Sequence, residues 1–298
     1  SKSLKERKEA LNRLFKYMKR DVKATMEVMN GKPVMFRLLD PPLNEFIPDD
    51  TVKQKELAAK LGTSLAEVKK REELLHESNP MMGHRGVRLG VTYPEITEMQ
   101  VRAILEAAGE LIKARKKPVP EIMIPVTCDV NELYEQKKII DMVYKEVITK
   151  LKLKKIGYSL GTMIEIPRAC LVADKMAHVA EFFSFGTNDL TQMGFGFSRD
   201  DIGGFLGEYL DKKILTDDPF RTLDQDGIGQ LIETGISKGR SKNRNLKVGI
   251  CGEHGGDPAS IDFCNRAGMD YVSCSPFRLP VARLAAAQSE ITLQLKGK

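Results

Sequence analysis

From about residue 119 to its end the chain repeats one unit: a short apolar run, a polar turn, then a stretch with helical spacing. EIMIPV (121–126) reads as a strand, with a helix over 130–150. SLGTMIEIP (159–167) reads as the next strand, with a helix over RACLVADKMAHVAE. FFSFGTNDLTQ (182–192) begins as a strand and ends in a loop, and 226–240 is helical. LKVGICGEHGG (246–256) reads as a strand and a glycine-rich loop, followed by the helix DPASIDFCNRAG. DYVSCSPFRLP (270–280) is a strand and loop, and 280–295 is helical. Alternation of this kind implies a parallel sheet, because parallel neighbours need a crossover and a helix supplies it.

The first third is more helical. Residues 3–30, rich in Lys, Arg, Leu and Met, read as one helix or two, stopped by Asn30–Gly31. PVMFRLLDPP reads as a strand running into a loop. Residues 51–75 and 94–115 are helical, and Thr63 or Ser64 with Glu67 has the spacing of a capping box. Six strands are clear, and one or two more are expected near residues 80–100. The resulting expectation is an α/β fold: a (β/α)₈ TIM barrel over 32–298 with an N-terminal helical segment over 1–31. An open doubly wound sheet fits the same strand count.

Composition narrows the partners. Lysine and arginine exceed the acids by six, but the two signs are interspersed and Trp is absent. A base-stacking nucleic-acid surface is not expected, and the balance suits anionic substrates. Five cysteines in a chain this long argue against a disulfide framework and for a reducing compartment, cytoplasm first, with a plastid or other organelle open. No apolar run has the length of a membrane span and no signal peptide pattern is present.

The unusual residues gather just after strands, and in a (β/α)₈ barrel strand C-termini converge on one functional face. Glu165 interrupts the apolar run TMIEIP, and Asp189 ends the next strand. Two neighbouring carboxylates repel unless a cation lies between them, and a few hard oxygens suit Mg²⁺. A structural pair of Glu165 with a Lys or Arg explains it equally well. Arg37 in RLLDPP and Arg85 in GHRG are placed to meet a phosphate or carboxylate bidentately. The plainer account is an ion pair such as Arg37 with Asp40, and His84 and Arg88 lie near enough to share the work. Gly186 and Thr187, before Asn188 and Asp189, can present backbone N–H groups to an anion; an Asx-turn is the simpler alternative. Cys251, set in GICGEHGG, is placed to donate a proton to a bound carbanion, although most free cysteines are small buried hydrophobes. Cys251 with His254 has zinc-ligand spacing, but no second pair completes such a site.

Several segments together resemble one family: RLLDPPLNEFIP, NPMMGHRGVRLG, YPEITEMQVRAI, GTMIEIPRA, FFSFGTNDLTQMGFGFSRDD, DPFRTLDQDGIGQLI, VGICGEHGGDPASIDFC and DYVSCSPFRLPVARLAAAQ. The chain is similar, from about Lys32 onward, to the C-terminal phosphoenolpyruvate/pyruvate-binding domain of pyruvate phosphate dikinases. Single motifs are shared with phosphoenolpyruvate synthases and with enzyme I of the sugar phosphotransferase system. The resemblance implies a homodimeric (β/α)₈ barrel that moves a phosphoryl group between phosphoenolpyruvate (PEP) and a histidine on a separate domain of the parent enzyme. It implies Glu165 and Asp189 as Mg²⁺ ligands and Arg37 and Arg85 on the phosphoryl group. It implies substrate contacts from Glu165, Gly186, Thr187, Asn188 and Asp189, and Cys251 as acid/base at the methylene carbon. None of the four histidines lies in a phosphohistidine setting and no ATP-binding region is visible, so the chain is expected to be a fragment. Two other readings stand beside it: a Mg²⁺-dependent aldolase or lyase barrel, and a catalytically incomplete dimerisation module.

Overall fold

The basic N-terminal segment forms one helix, α1 (Leu4–Val28), started by Ser3, whose hydroxyl accepts the Glu6 N–H at 3.2 Å. In the computed structural model, which describes residues 3–296, α1 belongs to the first of two units, Ser1–Lys32, Arg37–Pro118 and Glu135–Ile156. The same unit holds α2 (Thr51–Leu61), α3 (Leu65–Leu75), α4 (Val87–Thr92), α5 (Pro94–Lys113) and most of α6 (Val130–Leu151). Asp50 caps α2, and Gly62 ends it in the left-handed region at φ 64°. Ser64 caps α3 through the Glu67 N–H, which settles the capping-box choice in favour of Ser64. Val101, Ile104, Leu105, Ala108 and Leu111 line the buried face of α5 at helical spacing. Gly109 lets Leu151 approach so closely that an added Cβ would lie 2.4 Å from its Cδ1. The extra strands expected near residues 80–100 do not form. Val87, Leu89, Val91 and Tyr93 do alternate as a strand would, but Pro80 and Pro94 each open a helical turn and Val87–Thr92 folds as α4 between them, with Val87 and Leu89 both buried.

The second unit, Pro33–Phe36, Val119–Tyr134 and Gly157–Lys298, contains the sheet. Its strands are β1 (Pro33–Arg37), β2 (Val119–Ile124), β3 (Ser159–Ile164), β4 (Phe182–Gly186), β5 (Lys247–Cys251) and β6 (Tyr271–Val272). Their spatial order is their chain order, and β2 to β6 are parallel. A doubly wound sheet reverses direction at a switch point; this one does not. The helices between and after the strands are α7 (Pro167–Leu171), α8 (Ala173–Met176), α9 (Thr187–Phe195), α10 (Leu206–Asp211), α11 (Ile228–Lys242), α12 (Pro258–Arg266) and α13 (Leu279–Lys296). The loop expected after FFSFG is instead α9, which starts at once and stops at Gly196, φ 69°.

The sheet is strongly curled. Lys247 on β5 reaches Glu121 on β2, Nζ to Oε1 2.9 Å. In a flat sheet three strand spacings would separate them by roughly 14 Å. The Tyr271 hydroxyl of β6 likewise comes within 3.9 Å of the Met35 sulfur of β1. The expected closed eight-stranded barrel is corrected accordingly: the described residues form a six-stranded half-barrel in which β1 and β6 are edges. Among them no helix is long and apolar enough to cross a membrane.

Candidate active site

Parallel register brings the polar strand ends to one rim of the second unit. Ile164 pairs with Phe185 and Gly186 pairs with Cys251. Glu165, the next residue after β3, therefore stands beside Gly186 at the end of β4, which stands beside Cys251 at the end of β5. Glu165 is 2% exposed, and its Oε1 accepts the Val126 N–H at 2.5 Å. Val126 has φ 60°, a left-handed conformation that a β-branched residue adopts only under constraint. That conformation presents the main-chain donor to Glu165. The other carboxylate oxygen lies 2.3 Å from where a Cβ on Gly186 would sit, so glycine makes room for it.

Asp189 lies in the first turn of α9, where the helix dipole favours a carboxylate, and it is buried at 9% exposure. Two buried carboxylates with hard oxygens fit the sparse protein donor set of Mg²⁺, which keeps its other positions for water and substrate. Among the described residues no group of three or more His, Cys, Asp or Glu side chains is arranged as a closed metal cage. Zinc through Cys251 and His254 is not supported. Both His254 nitrogens are engaged, Nε2 at 2.9 Å from the Pro219 carbonyl and Nδ1 at 2.7 Å from the Thr187 hydroxyl.

Cys251 is half-buried and packs on Met123, Met163 and Phe182. Its carbonyl accepts from the Thr187 hydroxyl at 3.0 Å, and the Asn188 side-chain oxygen lies 3.4 Å from the Glu253 nitrogen. Cys170 and Cys264 differ: burial pushes their thiols up to about 12, which leaves them unreactive core residues.

Arg37 and Arg85 belong to the first unit. Asp40 accepts from Arg85 Nη2 through both oxygens at 3.0 Å, and Arg37 Nη1 lies 3.2 Å from the same carboxylate. The ion pair foreseen as the plainer account thus forms, but with two arginines on one acid. Arg85 is buried, whereas half of the Arg37 side chain is exposed. Arg88 holds the Met82 and Gly83 carbonyls, so it organises the loop. Sequence reasoning passed over Tyr271. Its ring lies so close to Gly249 that an added Cβ there would be 2.3 Å from Cζ, and its hydroxyl is 3.4 Å from the Phe183 carbonyl. Burial, above all, raises the phenol's pKa. A glycine inside a strand, facing an aromatic on the next strand, is the signal that could have found it.

The sequence profile described as "PEP-utilising enzyme, PEP-binding domain" matches residues 3–291. The chain is 55% identical over 292 residues to the pyruvate, phosphate dikinase of Clostridium symbiosum, covering 98% of this chain and 33% of that protein. It is 54% identical to pyruvate, phosphate dikinase 1, chloroplastic, of Oryza sativa subsp. japonica, covering 96% and 30%. It is 53% identical to pyruvate, phosphate dikinase 2 of Zea mays, covering 95% and 32%. The chain therefore spans about a third of the length of these curated relatives. Among solved structures, a citrate lyase from Burkholderia xenovorans LB400 matches 63% of this chain and 53% of its own at 16% identity and a TM-score of 0.41.

Proposed function

The chain belongs to the PEP-utilising enzyme family, through its PEP-binding domain, and from that premise we propose that it is the C-terminal PEP/pyruvate-binding part of a pyruvate phosphate dikinase. The observation that carries this is the shared rim: Glu165, Gly186 and Cys251 at the ends of consecutive parallel strands, with Asp189 one helical turn further on. Glu165 and Asp189 would hold Mg²⁺, and when bound the ion would supply charge neutralisation worth several kcal/mol to the developing enolate.

The chain's own residues do the rest. Gly186, Thr187 and Asn188, at the start of α9, meet the substrate with main-chain and side-chain polar groups. Arg37 and Arg85, which both lie against the Asp40 carboxylate, bind the phosphoryl group. In the reaction the bond between phosphorus and the enol oxygen breaks. The phosphoryl group passes to a histidine of the parent enzyme's phosphohistidine domain, leaving pyruvate enolate. The Cys251 thiol gives its proton to the methylene carbon, which becomes the methyl of pyruvate, and the thiolate remains. In reverse the thiolate removes that proton. Phe182, Met123 and Met163 beside Cys251 keep this corner apolar and limit competing water.

The chain forms a homodimer in this reading. Support comes from α13 and the turn before it, where Phe277, Val281, Leu284, Ile291 and Leu295 are exposed.

Isothermal titration of the 298-residue chain with PEP and Mg²⁺ tests the binding, and deuterium exchange into the pyruvate methyl group tests the proton step. PEP binding that requires Mg²⁺, with exchange abolished in Cys251→Ala, is the expected result. Absence of binding heat at millimolar PEP, or exchange that survives Cys251→Ala, refutes the assignment.

A further inference from the structure

His254 takes no part in the chemistry proposed above, yet it is fully buried and both ring nitrogens are engaged. The Pro219 carbonyl has no proton to give, so Nε2 carries the hydrogen and donates to it. Burial lowers the His254 pKa against the opposing charges of Asp257, Glu253 and Asp218. In the neutral ring Nδ1 is an acceptor, and the Thr187 hydroxyl is its donor. The same hydroxyl lies 3.0 Å from the Cys251 carbonyl. One proton on Thr187 therefore serves two acceptors, the imidazole and the last residue of β5.

The surrounding backbone is equally tight. Gly252 has φ +106°, and a Cβ there would lie 3.0 Å from both the Thr187 hydroxyl and the Asn188 side-chain oxygen. The loop after β5 thus rides directly on the first turn of α9. His254 extends that contact to the segment around Pro219 and holds it with buried hydrogen bonds, which are strong in a low-dielectric interior.

We propose that His254 is a positioning residue for the proton transfer at Cys251: by holding Thr187 against the end of β5 it sets the spacing between the thiol and the Asn188–Asp189 turn. It acts through Thr187 and does not touch substrate. The proposal rests on the reading of Cys251 as the acid/base. Proton transfer to carbon depends steeply on where donor and acceptor sit, so a small displacement of this strand end slows the reaction more than it weakens substrate binding.

The test compares His254→Leu, His254→Asn, Thr187→Val and the double variant His254→Leu/Thr187→Val in the 298-residue chain with Mg²⁺. In His254→Leu, pyruvate methyl exchange slows by about tenfold to a hundredfold while PEP affinity stays within about threefold. Thr187→Val slows exchange likewise, and the double variant is no slower than the slower single one. His254→Asn, which keeps an acceptor where Nδ1 lies, recovers most of the rate. Effects that multiply in the double variant, or unchanged exchange in His254→Leu, overturn the proposal.

Iodoacetamide alkylation of Cys251, with Cys128 and Cys274 as internal references, separates this idea from the one beneath it. If the unsubstituted chain shows no exchange, the acid/base reading fails, and alkylation alone decides the positioning role. A change of roughly threefold or more in relative Cys251 reactivity, shared by His254→Leu and Thr187→Val, supports that role; unchanged reactivity sinks it. Should His254→Leu fail to fold, Thr187→Val and His254→Asn decide the matter by the same two readouts.

Discussion

Gly186 shows how much one missing methyl group decides. A Cβ there would meet Glu165 Oε2 at 2.3 Å, Glu165 Cβ at 2.8 Å and Met163 Cε at 2.9 Å. Gly186→Ala must displace the Glu165 carboxylate or the end of β4. We expect it to cost about 1–3 kcal/mol of stability and to weaken Mg²⁺-dependent PEP binding by roughly tenfold or more. Calorimetry of the variant checks this, and wild-type affinity would show that Glu165 has other room. Glu165, Asp189 and Cys251 were legible in the sequence because polar or reactive groups at the ends of apolar runs stand out. Val126 was not, since its contribution is a main-chain N–H turned by an unusual φ, which any residue name conceals. His254 was weighed only as half of a zinc pair; its partners, Thr187 and Pro219, lie 67 and 35 residues away.

At the scale of elements, the charge on α1 has a definite task. Glu106 of α5 is 2% exposed and accepts from Lys19 of α1 at 2.9 Å and Lys150 of α6 at 2.6 Å. Burial opposes its ionisation, yet the two lysines outweigh burial and hold its pKa below the ordinary 4.5. A carboxylate depressed in the folded state stabilises fully above its unfolded pKa and loses that contribution as pH falls through the lower folded value. Thermal unfolding of the chain should therefore lose stability in this acid window, and Glu106→Gln should lose less there while costing about 1–3 kcal/mol at neutral pH. Parallel pH profiles for the two proteins would contradict the assignment. Helices α1, α5 and α6 were readable from spacing and charge. The helix α9 was not, because GTNDLTQ is rich in turn formers; Asp189 in the first turn and Gly196 at the end favour a helix only once β4 delivers the chain at that angle.

The whole molecule carries an inverted helix at its C-terminal end. Ala282, Ala285 and Ser289 of α13 face inward, with the two alanines on Ile261, whereas Leu284, Ile291 and Leu295 face outward. Small residues inside and large apolar ones outside mark a surface built to be covered. If a second copy covers it, sedimentation at tens of micromolar shows a dimer, and Leu284→Glu with Ile291→Glu shifts it to monomer. A monomeric parent chain, or an unaffected double variant, would refute the dimer. The architecture itself came out between expectation and surprise. Strand–helix alternation and the placing of Glu165 and Cys251 at strand ends, with Asp189 just beyond the end of β4, were determined by the sequence alone, because periodicity and the polarity of strand ends are local properties. The tertiary structure alone decided that the strands run in chain order and curl into a half-barrel. It also brings Lys247 to Glu121, 126 residues apart, and His254 to Thr187. Such meetings depend on register and curl, which arise only when all the strands are packed together, and no local pattern encodes them.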